Sequence, residues 1–120
     1  MKIAVSSKGK TLDDELDARF GRAACFIVLD PNTRSYDVVE NTQNLNAAQG
    51  AGIQAAKTVA DQGVGAVLTG NCGPKAYTVL EQAGISVITG VSGTVREALA
   101  QYKNGELRPA GGPNVDGHWM

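Results

Sequence analysis

The 120-residue chain is 42% apolar and 19% charged, enough for one ordinary core without a disulfide scaffold or a structural metal. Its formal net charge of −1 argues against a phosphate-neutralising surface, and no apolar run approaches the roughly 18 residues of a membrane span. Neither nucleic acid nor membrane is an expected partner. The apolar run at the start of the chain is too short for a secretory leader, so the expectation is a soluble, cytoplasmic protein whose two cysteines, Cys25 and Cys72, are free thiols.

Lys2–Ser6 reads as the first strand. Leu12, Leu16 and Phe20 then repeat at helical spacing, which leaves Thr11–Phe20 open between a short helix and an ordered loop. Cys25–Asp30 is an apolar strand ended by the turn Asp30-Pro31-Asn32, and Tyr36–Glu40 follows so soon that the two must form an antiparallel hairpin. A parallel crossover needs a dozen or more residues.

The second half alternates helix and strand. Gly52–Gln62 places Ile53, Ala56, Val59 and Ala60 on one helical face, with Gly63 at the position of a left-handed cap. Ala66–Thr69 is a buried strand. Pro74 opens a helix through Ala76, Tyr77, Leu80 and Ala83 that Gly84 ends, and Ile85–Ile88 is the last strand. Thr94 and Glu97 have capping-box spacing ahead of a helix whose apolar face is Val95, Ala98, Leu99 and Tyr102, ended by Gly105.

This order specifies an α/β fold with a mixed five-stranded sheet, an antiparallel meander plus two parallel strands, and about three helices. It is the order of the ribonuclease H-like fold. A flavodoxin-like sheet fits less well because a hairpin replaces its first crossover. Residues 1–107 are expected to form a single domain and 108–120, rich in Gly and Pro, an extended tail.

Ligands of open α/β sheets gather beyond the carboxyl ends of parallel strands, where helix N-termini present free amides. Here those ends are Ser6-Ser7, the turn Thr69-Gly70-Asn71-Cys72-Gly73-Pro74 and the turn from Thr89 through Gly90 to Thr94. Together they suggest an anion pocket, although the same glycines also serve as the tight turns that any such fold needs. Cys72 just ahead of a helix start is a candidate thiolate and soft-metal ligand, against which stands its reading as a buried core residue. Cys25 lies inside an apolar strand and reads as core. Arg19 and Arg22 flank Gly21 and are placed to clamp an anion at the pocket rim, unless Asp13, Asp14, Glu15 and Asp17 take them as local partners.

Catalytic sets are missing from the sequence. The first strand carries no acid that would hold the paired divalent ions of a ribonuclease H-like nuclease, and no P-loop spacing or GxSxG turn occurs. His118, in the tail, is the only histidine.

Four stretches together carry a family resemblance: Leu16-Asp17-Ala18-Arg19-Phe20-Gly21-Arg22-Ala23, Gly50-Ala51-Gly52-Ile53-Gln54-Ala55-Ala56, Thr69-Gly70-Asn71-Cys72-Gly73-Pro74-Lys75-Ala76 and Gly112-Pro113-Asn114-Val115-Asp116-Gly117-His118. In their order and spacing the chain resembles the dinitrogenase iron–molybdenum cofactor biosynthesis family. The resemblance implies a ribonuclease H-like fold and a non-enzymatic carrier of a metal–sulfur cluster. The cluster would be of the iron–molybdenum cofactor type or, as in the short stand-alone orange-protein group, a molybdenum–copper sulfide. An anionic cluster brings its own sulfide ligands, so the protein need supply only amides, arginines and apolar walls. The partner would be an ATPase or a protein that accepts the cluster. The competing function class is an adaptor that regulates an ATPase or another partner without a cofactor.

Overall fold

A computed structural model of the protein describes residues 2–30, 32–33, 35–41 and 51–109. Five strands, β1 (Lys2–Ser7), β2 (Cys25–Leu29), β3 (Tyr36–Glu40), β4 (Val64–Leu68) and β5 (Ser86–Ile88), combine with three helices, α1 (Ala51–Ala60), α2 (Pro74–Gln82) and α3 (Val95–Lys103), in the expected order. The sheet runs β3-β2-β1-β4-β5. The first three strands form an antiparallel meander, and β4 pairs parallel to both β1 and β5. The carboxyl ends of β1, β4 and β5 therefore lie side by side at one end of the sheet. Residues 110–120 of the expected tail, including His118, lie outside the described residues.

Alternation along the strands divides the core into two layers. Ala4, Phe26, Val28, Val67 and Val87 face α1 and α2, whereas Ile3, Val5, Ile27, Leu29, Leu68 and Ile88 face α3. One departure from alternation has a local cause. Lys2 pairs with Val64 but Ile3 with Ala66, so Gly65 is an extra residue in β4, and the bulge puts both Val64 and Val67 in the α1–α2 layer.

The helices bury the stripes that their spacing requires. α3 buries Val95, Ala98 and Leu99. In α1 the buried stripe is Ala51, Gly52, Ala55, Ala56 and Val59, with Ile53 only half-buried, because these small residues meet both the sheet and α2. Gly63 and Gly84 follow α1 and α2 with φ of +72° and +78°, the left-handed region open to glycine.

Thr11–Phe20 is an ordered loop rather than a helix, since its backbone groups are committed to distant segments. Leu16 N donates to Gly93 O at 2.9 Å and Asp17 N to Ser6 O at 2.9 Å. The Asp14 carboxylate accepts from both the amide and the hydroxyl of Thr11 at 2.9 Å, a local bond that competes with helix formation.

Both core layers are built of apolar side chains. Among the described residues no group of three or more His, Cys, Asp or Glu side chains is placed to hold a metal ion. Chelation is therefore expected to leave far-UV circular dichroism and the cooperative melt unchanged. Phe26, fully buried with its ring 5.2 Å from that of Phe20, is a better handle on stability. Phe26→Ala should cost about 3–5 kcal/mol in denaturant unfolding.

Candidate functional site at the carboxyl ends of the parallel strands

The sequence-derived pocket residues converge, through hydrogen bonds that use up several of them. Ser6 is fully buried; its hydroxyl donates to Asp17 O at 2.7 Å and lies 2.8 Å from the Thr69 hydroxyl. A hydroxyl has one proton, so Thr69 supplies the donor for the second bond. The Ser7 hydroxyl donates to Gly9 O at 2.6 Å and accepts from Gly9 N at 3.2 Å. Ser6 and Thr69 thus tie β1 to β4, Ser7 closes a local turn on Gly9, and none of the three offers a hydroxyl proton to a ligand.

A second set of bonds joins the loop to the turn after β4. Asn71 N donates to Ala18 O at 2.7 Å and Phe20 N to Asn71 O at 3.2 Å, which makes Arg19 and Asn71 a parallel bridge. Gly70 permits this approach. A Cβ there would lie 2.7 Å from Ala18 Cα, a clash with backbone that a side chain cannot relieve by rotating. Across the same turn, Gly90 N donates to Gly70 O at 2.8 Å and Val91 N to Thr69 O at 3.2 Å. Arg19 is thereby carried to the rim of the turn that enters α2, its side chain 53% exposed. Arg22 and Asn71 are half-buried, Gly70 and Gly73 are buried, and Gly90 is exposed.

The two helix N-termini are not equivalent. At α3, Val95 N donates to Asp14 O at 3.0 Å and Arg96 N to Leu12 O at 2.8 Å. The Thr94 and Glu97 capping box satisfies two further amides. The backbone amides of Thr94, Val95, Arg96 and Glu97 are thus all taken within the chain, and the Thr94 hydroxyl oxygen is engaged in the cap. α2 differs. Its N-cap is Gly73, which has no side chain of its own to cap with, Pro74 opens the first turn, and Lys75, its second residue, is an exposed cation, so charge at this end suits an anion.

A cleft of about 340 Å³ also opens at this end, between the loop and the turn before α3, lined by Leu16, Ala18, Val91, Ser92, Gly93, Thr94, Glu15 and Glu97. Its two carboxylates make it a poor seat for an anion. Charge therefore favours the Arg19 and α2 side of the strand ends over the α3 side.

Of the two sequence readings of Cys72, the structure has the buried one. It is fully buried in the α1–α2 layer with Phe20, Ala76 and Leu80, and burial pushes its pKa up to about 12. Desolvation exceeds the pull of the adjacent helix end because the sulfur sits inside the apolar layer. Cys25 is buried in β2 as expected, its Sγ 3.1 Å from Gly9 O, and burial raises its pKa as well.

Two contributors escaped the sequence-derived site. Lys75 was legible only as part of a motif. Asp17 stood only as a competitor for the arginines, yet its Oδ1 accepts Arg19 N at 3.0 Å; the Asp-x-Arg spacing of such an Asx turn was the available signal.

The Cys72 thiol yields a pH prediction. A folded-state pKa above the unfolded one means that the folded chain holds the proton where the unfolded chain loses it, so stability falls as pH rises through that interval. Between pH 9.0, the ordinary thiol value, and about 12, Cys72 should contribute a loss approaching about 1.4 kcal/mol per pH unit. Denaturant melts at stepped pH should show a steeper fall in the wild type than in Cys72→Ala, where the Cys25 thiol, also raised by burial, leaves a smaller slope of the same sign.

Comparison with known proteins places these features in a lineage. The family model described as dinitrogenase iron-molybdenum cofactor matches residues 1–105. An uncharacterised protein of Methanocaldococcus jannaschii is 31% identical over 110 residues, covering 89% of each chain. The apo form of the orange protein from Desulfovibrio gigas superposes with a TM-score of 0.93 at 43% identity, over 95% of this chain and 96% of that one. An NMR structure of a Thermotoga protein described as a candidate NifB protein gives 0.83 at 32% identity, over 97% and 98%. With a match that spans nearly every described residue, the chain belongs to the dinitrogenase iron-molybdenum cofactor family.

Proposed function

We propose that the protein is a carrier rather than a catalyst, and that it binds an anionic metal–sulfur cluster non-covalently at the carboxyl ends of β1, β4 and β5. The observation that carries this reading is the backbone bridge between Arg19 and Asn71. It brings the Arg19 backbone alongside the turn that leads into the N-terminus of α2. A fixed fork of donors next to a favourable dipole suits a multiply charged cargo that already has its own sulfide ligands. Membership of the family and the likeness to the orange protein support a cluster as that cargo. Within this reading the cluster is a molybdenum–copper sulfide or one of the iron–molybdenum cofactor type.

The contact residues are Arg19, Arg22, Asn71, Gly90 and Lys75, over a scaffold of Ser6, Ser7, Thr69, Gly70 and Gly73. Cys72 is core. The strand order β3-β2-β1-β4-β5 and helices on both faces support the ribonuclease H-like description, with residues 1–107 as the carrying domain and 108–120 as a tail. A nuclease role is not favoured, because β1 reads Lys-Ile-Ala-Val-Ser-Ser and lacks the acid that would hold divalent metal. A carrier in the cytoplasm requires a partner that receives the cluster, either an acceptor protein or an ATPase that drives the transfer.

Titration with tetrathiomolybdate and copper, followed by visible absorption, tests the reading. Saturable new bands are expected. Arg19→Ala with Lys75→Ala should weaken uptake about tenfold at low salt, with the difference shrinking as ionic strength rises. Cys72→Ala should take up the cluster like the wild type. Absence of saturable bands, together with co-purification of one stoichiometric partner, would point instead to the adaptor class.

A further inference from the structure

We infer that Asp17 is a positioning residue, which sets the direction in which the Arg19 guanidinium meets the cluster; the inference rests on the cluster-carrier reading. Asp17 is anchored to the end of β1 from both sides of its peptide. Its N–H donates to Ser6 O at 2.9 Å, and its carbonyl accepts from the Ser6 hydroxyl at 2.7 Å. Its side chain, 8% exposed, turns along the chain to accept Arg19 N at 3.0 Å and lies 3.8 Å from Arg19 Nε. The carboxylate thus occupies the Nε flank of the guanidinium.

Two consequences follow from that placement. A guanidinium offers two bidentate edges, one built on Nε and one on the terminal pair of nitrogens. With the Nε flank turned to Asp17, the terminal pair is left at the half-exposed end of the side chain, where it has no partner among the described residues. The i to i+2 turn also fixes the Arg19 backbone before any ligand arrives, in concert with the Asn71 bridge. Ordering a long, rotamer-rich side chain in advance removes part of the cost of immobilising it on binding.

Two alternative roles make different predictions. Were Asp17 merely a negative charge beside an anion site, its removal would strengthen binding. Were it only a structural pin, its removal would harm the protein with or without Arg19. The positioning role depends on the acceptor oxygen at Oδ1 and acts only through Arg19. Asp17→Asn keeps that acceptor and drops the charge, whereas Asp17→Glu keeps the charge and moves the carboxylate out of reach of the turn.

The experiment measures the affinity for tetrathiomolybdate with copper in Asp17→Asn, Asp17→Glu and Asp17→Ala, each with Arg19 intact and with Arg19→Ala, alongside thermal melts. With Arg19 present, Asn should stay within about twofold of the wild type, and Glu and Ala should lose about five- to tenfold. In the Arg19→Ala background the three should be indistinguishable. Tighter binding by Asn and Ala, a loss by Asn equal to that of Ala, or a loss that persists without Arg19 would overturn the inference. If Asp17→Ala does not fold, the Asn and Glu pair decides the matter. An Arg19→Ala protein that binds like the wild type would remove the site reading and this inference together. A weakened Arg19→Ala with no coupling to Asp17 would remove only the inference.

Discussion

The Ser6 hydroxyl is the knot on which the rest of this end of the molecule depends. It is fully buried and must be satisfied, because an unpaired buried polar group costs about 1–3 kcal/mol. Its two partners belong to different segments: Asp17 in the loop after β1 and Thr69 at the end of β4. Satisfying one hydroxyl therefore joins the loop to two parallel strands. Asp17, once held, directs Arg19, and the following residues meet Asn71 in register. The arrangement is a chain of local necessities that starts at one small, fully buried polar side chain near the end of β1.

Two glycine turns of similar composition meet different fates for the same kind of reason. The turn before α3 ends in Thr94 and Glu97, which close a capping box, while carbonyls of Leu12 and Asp14 take the next amides. The turn before α2 ends in Gly73 and Pro74, which bring no capping side chain. Charge sharpens the contrast, with Glu15 and Glu97 beside the first and Arg19 and Lys75 on the other side. The backbone amides at the start of α3 are thus taken within the chain, and the exposed cations lie on the α2 side.

The division of labour between scaffold and surface suits a carrier. A binding protein that donated thiolates would have to expose a reactive sulfur and would release its cargo only by breaking covalent bonds. Here both cysteines are buried and burial raises the pKa of each, so neither is held as a thiolate near neutral pH. Electrostatic and hydrogen-bonded contacts at a partly exposed rim are weaker singly and reversible, and they are tuned by ionic strength. That combination favours transfer over storage.

The sequence by itself determined the order and class of the elements, because hydrophobic period, Pro at helix starts and Gly at helix ends are local signals. The apolar face of α3, its capping box and the left-handed cap at Gly63 were legible in this way, as was the end of α2 at Gly84. That the carboxyl ends of β1, β4 and β5 lie side by side was legible as well, since topology follows from element order. What each residue does there was not. Cys72 precedes a helix in the chain, but whether its sulfur faces a ligand or the core depends on how α2 sits on the sheet, and it sits with that sulfur inside. Ser6, Ser7 and Thr69 resembled ligand groups until their partners were known. The amides of α3 were claimed by backbone carbonyls of Leu12 and Asp14, acceptors that every residue type carries and that no composition reveals. Tertiary structure alone decided these points, because a polar group serves a ligand only when no nearer part of the chain has already satisfied it.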